Sequence, residues 1–169
     1  MKGVEASFII LSLICVSAVN LPFDSYGLGE ISSPVADIRE EGASGNPQVL
    51  DSSGNKVSLR TFLGEKPLLV IFWASWCLEC RAEVPYLNRL AADPEIHVLA
   101  INLGENEKKV QGFVSSNHVG YQVVRDPGWQ TSAAFQVLGI PACLLLDREG
   151  RVLYRGSSVP VNIAAYLRK

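Results

Sequence analysis

Histidine is almost missing from this 169-residue chain: only His97 and His118 are present, and neither has a Cys or His neighbour at ligand spacing. The sequence therefore offers no paired ligand set for zinc. Arg81 stands directly after Cys80, where covalent haem attachment would need a histidine, so that pattern is missing too. Cysteine is scarce, with Cys15, Cys77, Cys80 and Cys143 too few and too unevenly spaced for a small disulfide-stapled fold. No metal and no cofactor are expected. Charge of one sign never accumulates: 15 basic and 17 acidic side chains give a formal charge of −2 without a basic stripe, and nucleic acid is not an expected partner. Internal repeats are lacking as well. What remains, 48% hydrophobic and 19% charged, suits one ordinary globular domain with appendages.

Against that background Cys77-Leu78-Glu79-Cys80 stands out. Trp76 precedes it, and before that comes the apolar run from Pro67 to Ala74. Two cysteines three positions apart, at the end of a buried strand, are placed to enter a helix together as a dithiol/disulfide couple. A redox enzyme is the expectation.

The chain divides into three parts. Residues 1–20 carry Lys2, an apolar stretch from Phe8 to Val16 and the small residues Ser17 and Ala18, the pattern of a secretory signal with cleavage before Val19. Glu5 offsets Lys2, and retention as an N-terminal membrane anchor, a tether through residues 6–21, is the alternative. Leu13 and Ile14 stand where a lipoprotein signal needs small residues, so Cys15 reads as one more apolar residue of that stretch. Residues 21–46 hold Gly, Ser, Pro and Glu without periodicity and read as a linker. Residues 47–169 read as the folded domain. There a hairpin is expected around Asp51–Asn55, then a helical turn over Thr61–Gly64 closed by glycine. Strands follow at 68–73, 96–103, 120–124, 142–146 and 151–154, with helices at 77–92, 106–117, 131–136 and 161–168. Pro85 falls inside the first of these helices as a kink. The alternation describes an α/β fold with a mixed sheet covered by helices on both faces.

The segment Phe72-Trp73-Ala74-Ser75-Trp76-Cys77-Leu78-Glu79-Cys80, then Arg81-Ala82-Glu83-Val84-Pro85, then Gly139-Ile140-Pro141 and Leu146-Asp147-Arg148-Glu149-Gly150, closely resembles the thioredoxin superfamily. More narrowly it is similar to the membrane-tethered TlpA/ResA-type thiol-disulfide oxidoreductases, a group that includes cytochrome c maturation thioredoxins. The resemblance covers about residues 47–169 and implies a thioredoxin-like fold with an added N-terminal β-hairpin. It also implies an exported enzyme at the periplasmic or extracytoplasmic face. Its substrate would be a disulfide in a partner protein, apocytochrome c foremost, and a membrane donor of the DsbD/CcdA type would keep it reduced.

With Cys77 at the first helical turn, free N–H groups and the helix dipole favour its thiolate, which makes it the expected nucleophile. Cys80, one turn further in and more covered, is expected to resolve the mixed disulfide. Glu83 lies one turn beyond Cys80 and can approach the pair; the resemblance gives it a proton-handling role, against a bland solvated position. Pro141 aligns with the proline that follows a cis bond and faces the dithiol, and its backbone neighbours would pair with an extended substrate segment. Ile140 keeps that surface apolar. Trp76 is expected to shield the nucleophile and touch substrate, with plain packing as its rival reading. Family members often carry Glu-Pro between the cysteines, whereas this chain has Leu78-Glu79. Phe72, Trp73 and Cys143 read as core, with a third redox thiol as the alternative for Cys143, and Trp129 reads as a loop-packing residue, with a partner contact as its alternative.

Two other readings stand beside the leading one. A peroxidase of the peroxiredoxin kind would want a threonine three positions before the nucleophile, where Ala74 stands. A non-catalytic binding module or copper chaperone would want a further soft or imidazole ligand near the cysteines.

Overall fold

The computed structural model describes residues 47–168. The segments read as signal or anchor (1–20) and linker (21–46) lie outside the described residues. Chain order is β1 (Gln48–Leu50), β2 (Lys56–Ser58), a 3-10 turn (Leu59–Phe62), β3 (Leu68–Trp73), α1 (Leu78–Ala91), β4 (His97–Leu103), α2 (Glu107–Ser116), β5 (Gln122–Asp126), α3 (Gln130–Ala134), β6 (Ala142–Leu146), β7 (Val152–Gly156) and α4 (Ala164–Leu167).

The period of the strands decides the layers. All six residues of β3 are buried, because side chains pointing alternately to the two faces meet helices on both. Leu68, Val70 and Phe72 enter one core with Leu59 of the 3-10 turn and Phe135 after α3. Leu69 and Ile71 enter the other with Leu87 of α1 and, at its margin, Tyr166 and Leu167 of α4. Trp73, the last residue of the strand, packs with Val110 and Phe113 of α2 and with both active-site candidates, Cys77 and Cys80. The Trp73 and Phe113 rings lie 4.7 Å apart, tilted.

Seven strands form one mixed sheet in the order β2-β1-β5-β4-β3-β6-β7. β4 runs parallel to both β3 and β5, and the remaining pairs are antiparallel. The hairpin β1–β2 is thus an N-terminal addition to one edge, as the resemblance implied. Register sets Trp73 opposite Asn102 on the central parallel pair, so the residues after β3 and after β4 leave the sheet side by side.

Several elements differ from the sequence reading, α3 among them, which spans Gln130–Ala134. The helical turn sits at 59–62 because Ser58 caps it, accepting the Arg60 N–H at 3.1 Å; Gly64 follows it without closing it. β5 runs to Asp126 instead of Val124, since Arg125 pairs with Leu50 across the added hairpin. Strand β7 extends two residues further, to Gly156, through its pairing with β6. Helix α4 is limited to 164–167: Val161 is 97% exposed and contributes nothing to an inner face. No helix among the described residues is long and apolar enough to cross a membrane.

Candidate active site

Cys77 is the N-cap of α1, with the extended backbone (φ −78°, ψ 112°) that a cap requires. Its sulfur accepts the N–H of Cys80 at 3.1 Å, satisfying one of the donors that a helix start leaves without a partner. The cap's own N–H donates to Ala74 at 3.1 Å. One turn separates the two cysteines, and their sulfurs are bonded at 2.04 Å with Cα atoms 5.3 Å apart. In this disulfide form Cys77 is 4% exposed and Cys80 5%, so the expected difference in cover does not hold. The outer sulfur turns inward onto the Cys80 N–H instead of facing solvent.

The Ile140–Pro141 bond is cis, and Ile140 packs against the apolar cluster that holds both cysteines. Sequence positions 63 residues apart, Cys77 and Ile140, therefore meet at one end of the sheet. Trp76 and Leu78, on either side of Cys77, are 62% and 71% exposed. Both are apolar side chains at the surface, and neither contributes to the buried core.

Besides the exposed Glu79 between the cysteines, two more deeply set carboxylates belong to this region. Glu83 is half-buried on α1. Its Oε1 accepts the Val159 N–H at 3.4 Å, and its Oε2 is buried without a partner. Burial pushes its pKa up, only partly offset by that single N–H. Glu105, just past the end of β4, is handled in the opposite way. Its Oε2 accepts the Ser75 N–H at 2.7 Å and the Asn102 amide at 2.7 Å, while its Oε1 accepts the Ser75 hydroxyl at 2.7 Å and meets Lys109 Nζ at 2.7 Å. Burial alone would raise its pKa, yet the donors of Asn102, Lys109 and Ser75 outweigh that and hold it at about 2.

With this geometry in view, comparison with known proteins is direct. Residues 43–155 match the AhpC/TSA family. The chain belongs to that family. Thiol-disulfide oxidoreductase ResA of Bacillus thuringiensis subsp. konkukian (strain 97-27) is 29% identical over 126 residues, 72% of this chain and 72% of ResA. Thiol:disulfide interchange protein CycY of Rhizobium leguminosarum bv. viciae is 29% identical over 143 residues, 84% of this chain and 75% of CycY. Among solved structures, a secreted Mycobacterium tuberculosis disulfide oxidoreductase homologous to E. coli DsbE superposes with a TM-score of 0.60 at 25% identity, over 69% of this chain and 85% of that one. The fold of this AhpC/TSA-family chain is thioredoxin-like, and Cys77 and Cys80 form its CxxC pair.

The remaining candidates of this AhpC/TSA chain fall elsewhere. Cys143, on β6, is 1% exposed, and burial followed by the charge of Glu83 pushes its thiol up to about 12, so it sits in the core as a protonated, small apolar group. Trp129 lies over Gly104, whose positive φ of 71° and close indole leave no room for a side chain: a Cβ would come within 2.8 Å of Trp129 Nε1. His97 contacts the Phe62 carbonyl at 3.3 Å and the Gln122 side chain at 3.1 Å. The His118 carbonyl accepts from Asn88 Nδ2 at 2.9 Å. Glu105 is the residue the sequence reading missed. A signal for it existed in Asn102, a polar side chain inside an otherwise apolar strand, fully buried and needing a partner.

Proposed function

We propose that this protein is an exported reductant of disulfides in partner proteins. It is a thiol-disulfide oxidoreductase that acts through Cys77 and Cys80. The observation that supports the reading is the position of the pair: a sulfur at the cap of a helix, held by the Cys80 N–H at 3.1 Å, in an apolar cluster against which Ile140, the residue before the cis bond to Pro141, also packs.

In the reduced protein the Cys77 thiolate attacks one sulfur of a partner's disulfide. A bond forms between Cys77 and that sulfur, the partner's S–S bond breaks, and the other partner sulfur leaves as a thiolate. Cys80 then loses its proton and attacks Cys77, forming the bond seen here and releasing the second partner thiolate. Two electrons pass from the dithiol to the partner, and each released thiolate takes up a proton. Glu83, whose raised pKa makes its carboxylate a stronger base, takes the Cys80 proton in this scheme. Trp76 contacts the partner chain, which lies extended along Ile140–Pro141 as an added strand.

Apocytochrome c is the foremost partner by resemblance, with a membrane donor of the DsbD/CcdA type regenerating the dithiol. The location fits a periplasmic or extracytoplasmic enzyme, with the N-terminal segment cleaved or retained as an anchor. Cys77→Ser is expected to abolish insulin reduction, and Cys80→Ser to accumulate a mixed disulfide visible by mass spectrometry. Normal turnover by Cys80→Ser would refute the assignment. Direction is read from the equilibrium of the couple with glutathione, since couples of this spacing span about 150 mV between thioredoxin and DsbA. A potential near the thioredoxin end supports a reductant, and one near DsbA's makes the protein an oxidant.

A further inference from the structure

The segment that presents Cys77 is short. Only Ala74, Ser75 and Trp76 separate the end of β3 from the cap of α1, and within it the single backbone tie is the Cys77 N–H to the Ala74 carbonyl at 3.1 Å. The second tie comes from outside. Glu105 lies 30 residues further along the chain, yet it reaches Ser75 because β3 and β4 are parallel neighbours with Trp73 opposite Asn102. Both its oxygens bind Ser75, one the N–H and one the hydroxyl, each at 2.7 Å.

We propose that Glu105 is a positioning residue for the dithiol: its carboxylate, braced by Asn102 and Lys109, fixes Ser75 and thereby the point at which Cys77 enters α1. This rests on the reading of Cys77 as nucleophile and adds to it a residue that touches neither sulfur nor partner. The plainer role, an acidic residue next to the start of α2 paired with Lys109 four positions on, accounts for one oxygen only. It leaves unexplained why the other oxygen is spent on Ser75 and Asn102, and why the residue is 7% exposed. The turn that delivers it is fixed as well, by the Gly104 N–H to the Asp126 carbonyl at 3.2 Å and by Trp129 lying over Gly104.

Four donors converge on two oxygens, which fills a carboxylate's acceptor capacity. An amide of the same shape has one acceptor oxygen and one NH2, and the NH2 would face a donor whichever way it turned. Glu105→Gln therefore keeps the volume and releases one side of the brace. If the brace aligns Cys77 with the helix start, its release weakens thiolate stabilisation. If the carboxylate acted on the sulfur only as a negative charge, its removal would strengthen it. The two roles shift the thiol in opposite directions.

The test is the pH dependence of iodoacetamide alkylation at Cys77 in the reduced protein, with urea unfolding measured in parallel. For Glu105→Gln the midpoint is expected to move upward by about half a pH unit, the scale of a helix-terminus interaction, with alkylation near neutral pH slowed about threefold. Ser75→Ala, which loses only the hydroxyl contact, is expected to move it the same way by about two tenths. The double variant is expected to add nothing beyond Glu105→Gln, because both act through one contact. An unmoved midpoint with lower stability reduces Glu105 to a structural brace, and a downward shift makes it a through-space charge; either overturns the proposal. Should Glu105→Gln fail to fold, an unmoved midpoint in Ser75→Ala overturns it alone. Alkylation needs no partner disulfide, so a wild-type protein that failed to reduce insulin would sink the functional reading without touching this result.

Discussion

Glu83, one turn past Cys80 on α1, and Glu105, tied to Ser75 just ahead of Cys77, are treated in contrasting ways by the protein around them. Glu105 collects four donors on its two oxygens and stays ionised down to a pKa of about 2. Glu83 has one long hydrogen bond and one buried oxygen with no partner, and burial raises its pKa. Burial pushes both carboxylates up; the four donors on Glu105 outweigh it, and the single N–H on Glu83 does not. Fixed charge suits a group that holds backbone in place, and a loosely paired acid suits one that exchanges protons with a thiol.

Breaking the fixed member of the pair should have the larger effect on stability. Its folded pKa lies below the unfolded value of 4.5, so its contribution is fully present above that pH and is lost as pH falls from 4.5 towards 2. Replacing Glu105 by Gln is expected to cost about 2 kcal/mol at pH 7, discounted from the full linkage value, and to flatten the acid limb of a urea-unfolding profile of the oxidised protein. An unchanged acid limb would mean that the hydrogen bonds do not hold the carboxylate ionised.

The opposite sign is expected at Glu83. Its folded pKa is raised, so the folded state favours the proton; that contribution is present below the unfolded value of 4.5 and is lost as pH rises through the folded pKa. Glu83→Gln should then remove the decline in stability above pH 4.5 while slowing resolution of the mixed disulfide about tenfold, the low end of what a general base supplies. Quenched-flow trapping of the intermediate reads the rate. An undiminished rate would take Glu83 out of the proton path and leave it as a helix residue with an awkward burial.

The contrast between the two carboxylates also shows what a sequence can reveal. β3, β6 and the start of α1 were readable because their signals are local: continuous apolar runs and a cysteine pair a few residues after the first of them. Glu83 is singled out because helical spacing sets it one turn past Cys80 and the resemblance implies a proton-handling role there. Glu105 was not, since its partners are Asn102 three residues before, Lys109 four after and Ser75 thirty before, and the decisive one is brought near only by the β3–β4 register. The same holds for β5, whose extension to Asp126 depends on pairing with the distant hairpin. Buried Asp126 then accepts the N–H groups of Gln130 and Ser132 at 3.0 and 2.8 Å, starting α3 a residue before the sequence reading placed it. Helix α4 was overread at its start: Val161 faces solvent, and the helix begins only at Ala164.

A further exposed carboxylate, added beside Glu79 in the first turn of α1, sharpens the distinction. Leu78 is 71% exposed between the cysteines, so Leu78→Glu places a charge closer in sequence to Cys77 than Glu79, Glu83 or Glu105 and leaves it in water. Its donors would be solvent and its field screened, with a Debye length of about 8 Å at physiological salt. The Cys77 alkylation midpoint is therefore expected to rise by only a few tenths, about 0.3 of a pH unit, and the rise should vanish in 1 M salt. A shift as large as that of Glu105→Gln, or one that survives salt, would show that proximity to the sulfur outweighs donor count and burial at this helix end. The absence of any shift would show that the first turn of α1 is insulated from surface charge, and that only groups tied to the 74–77 segment reach the nucleophile.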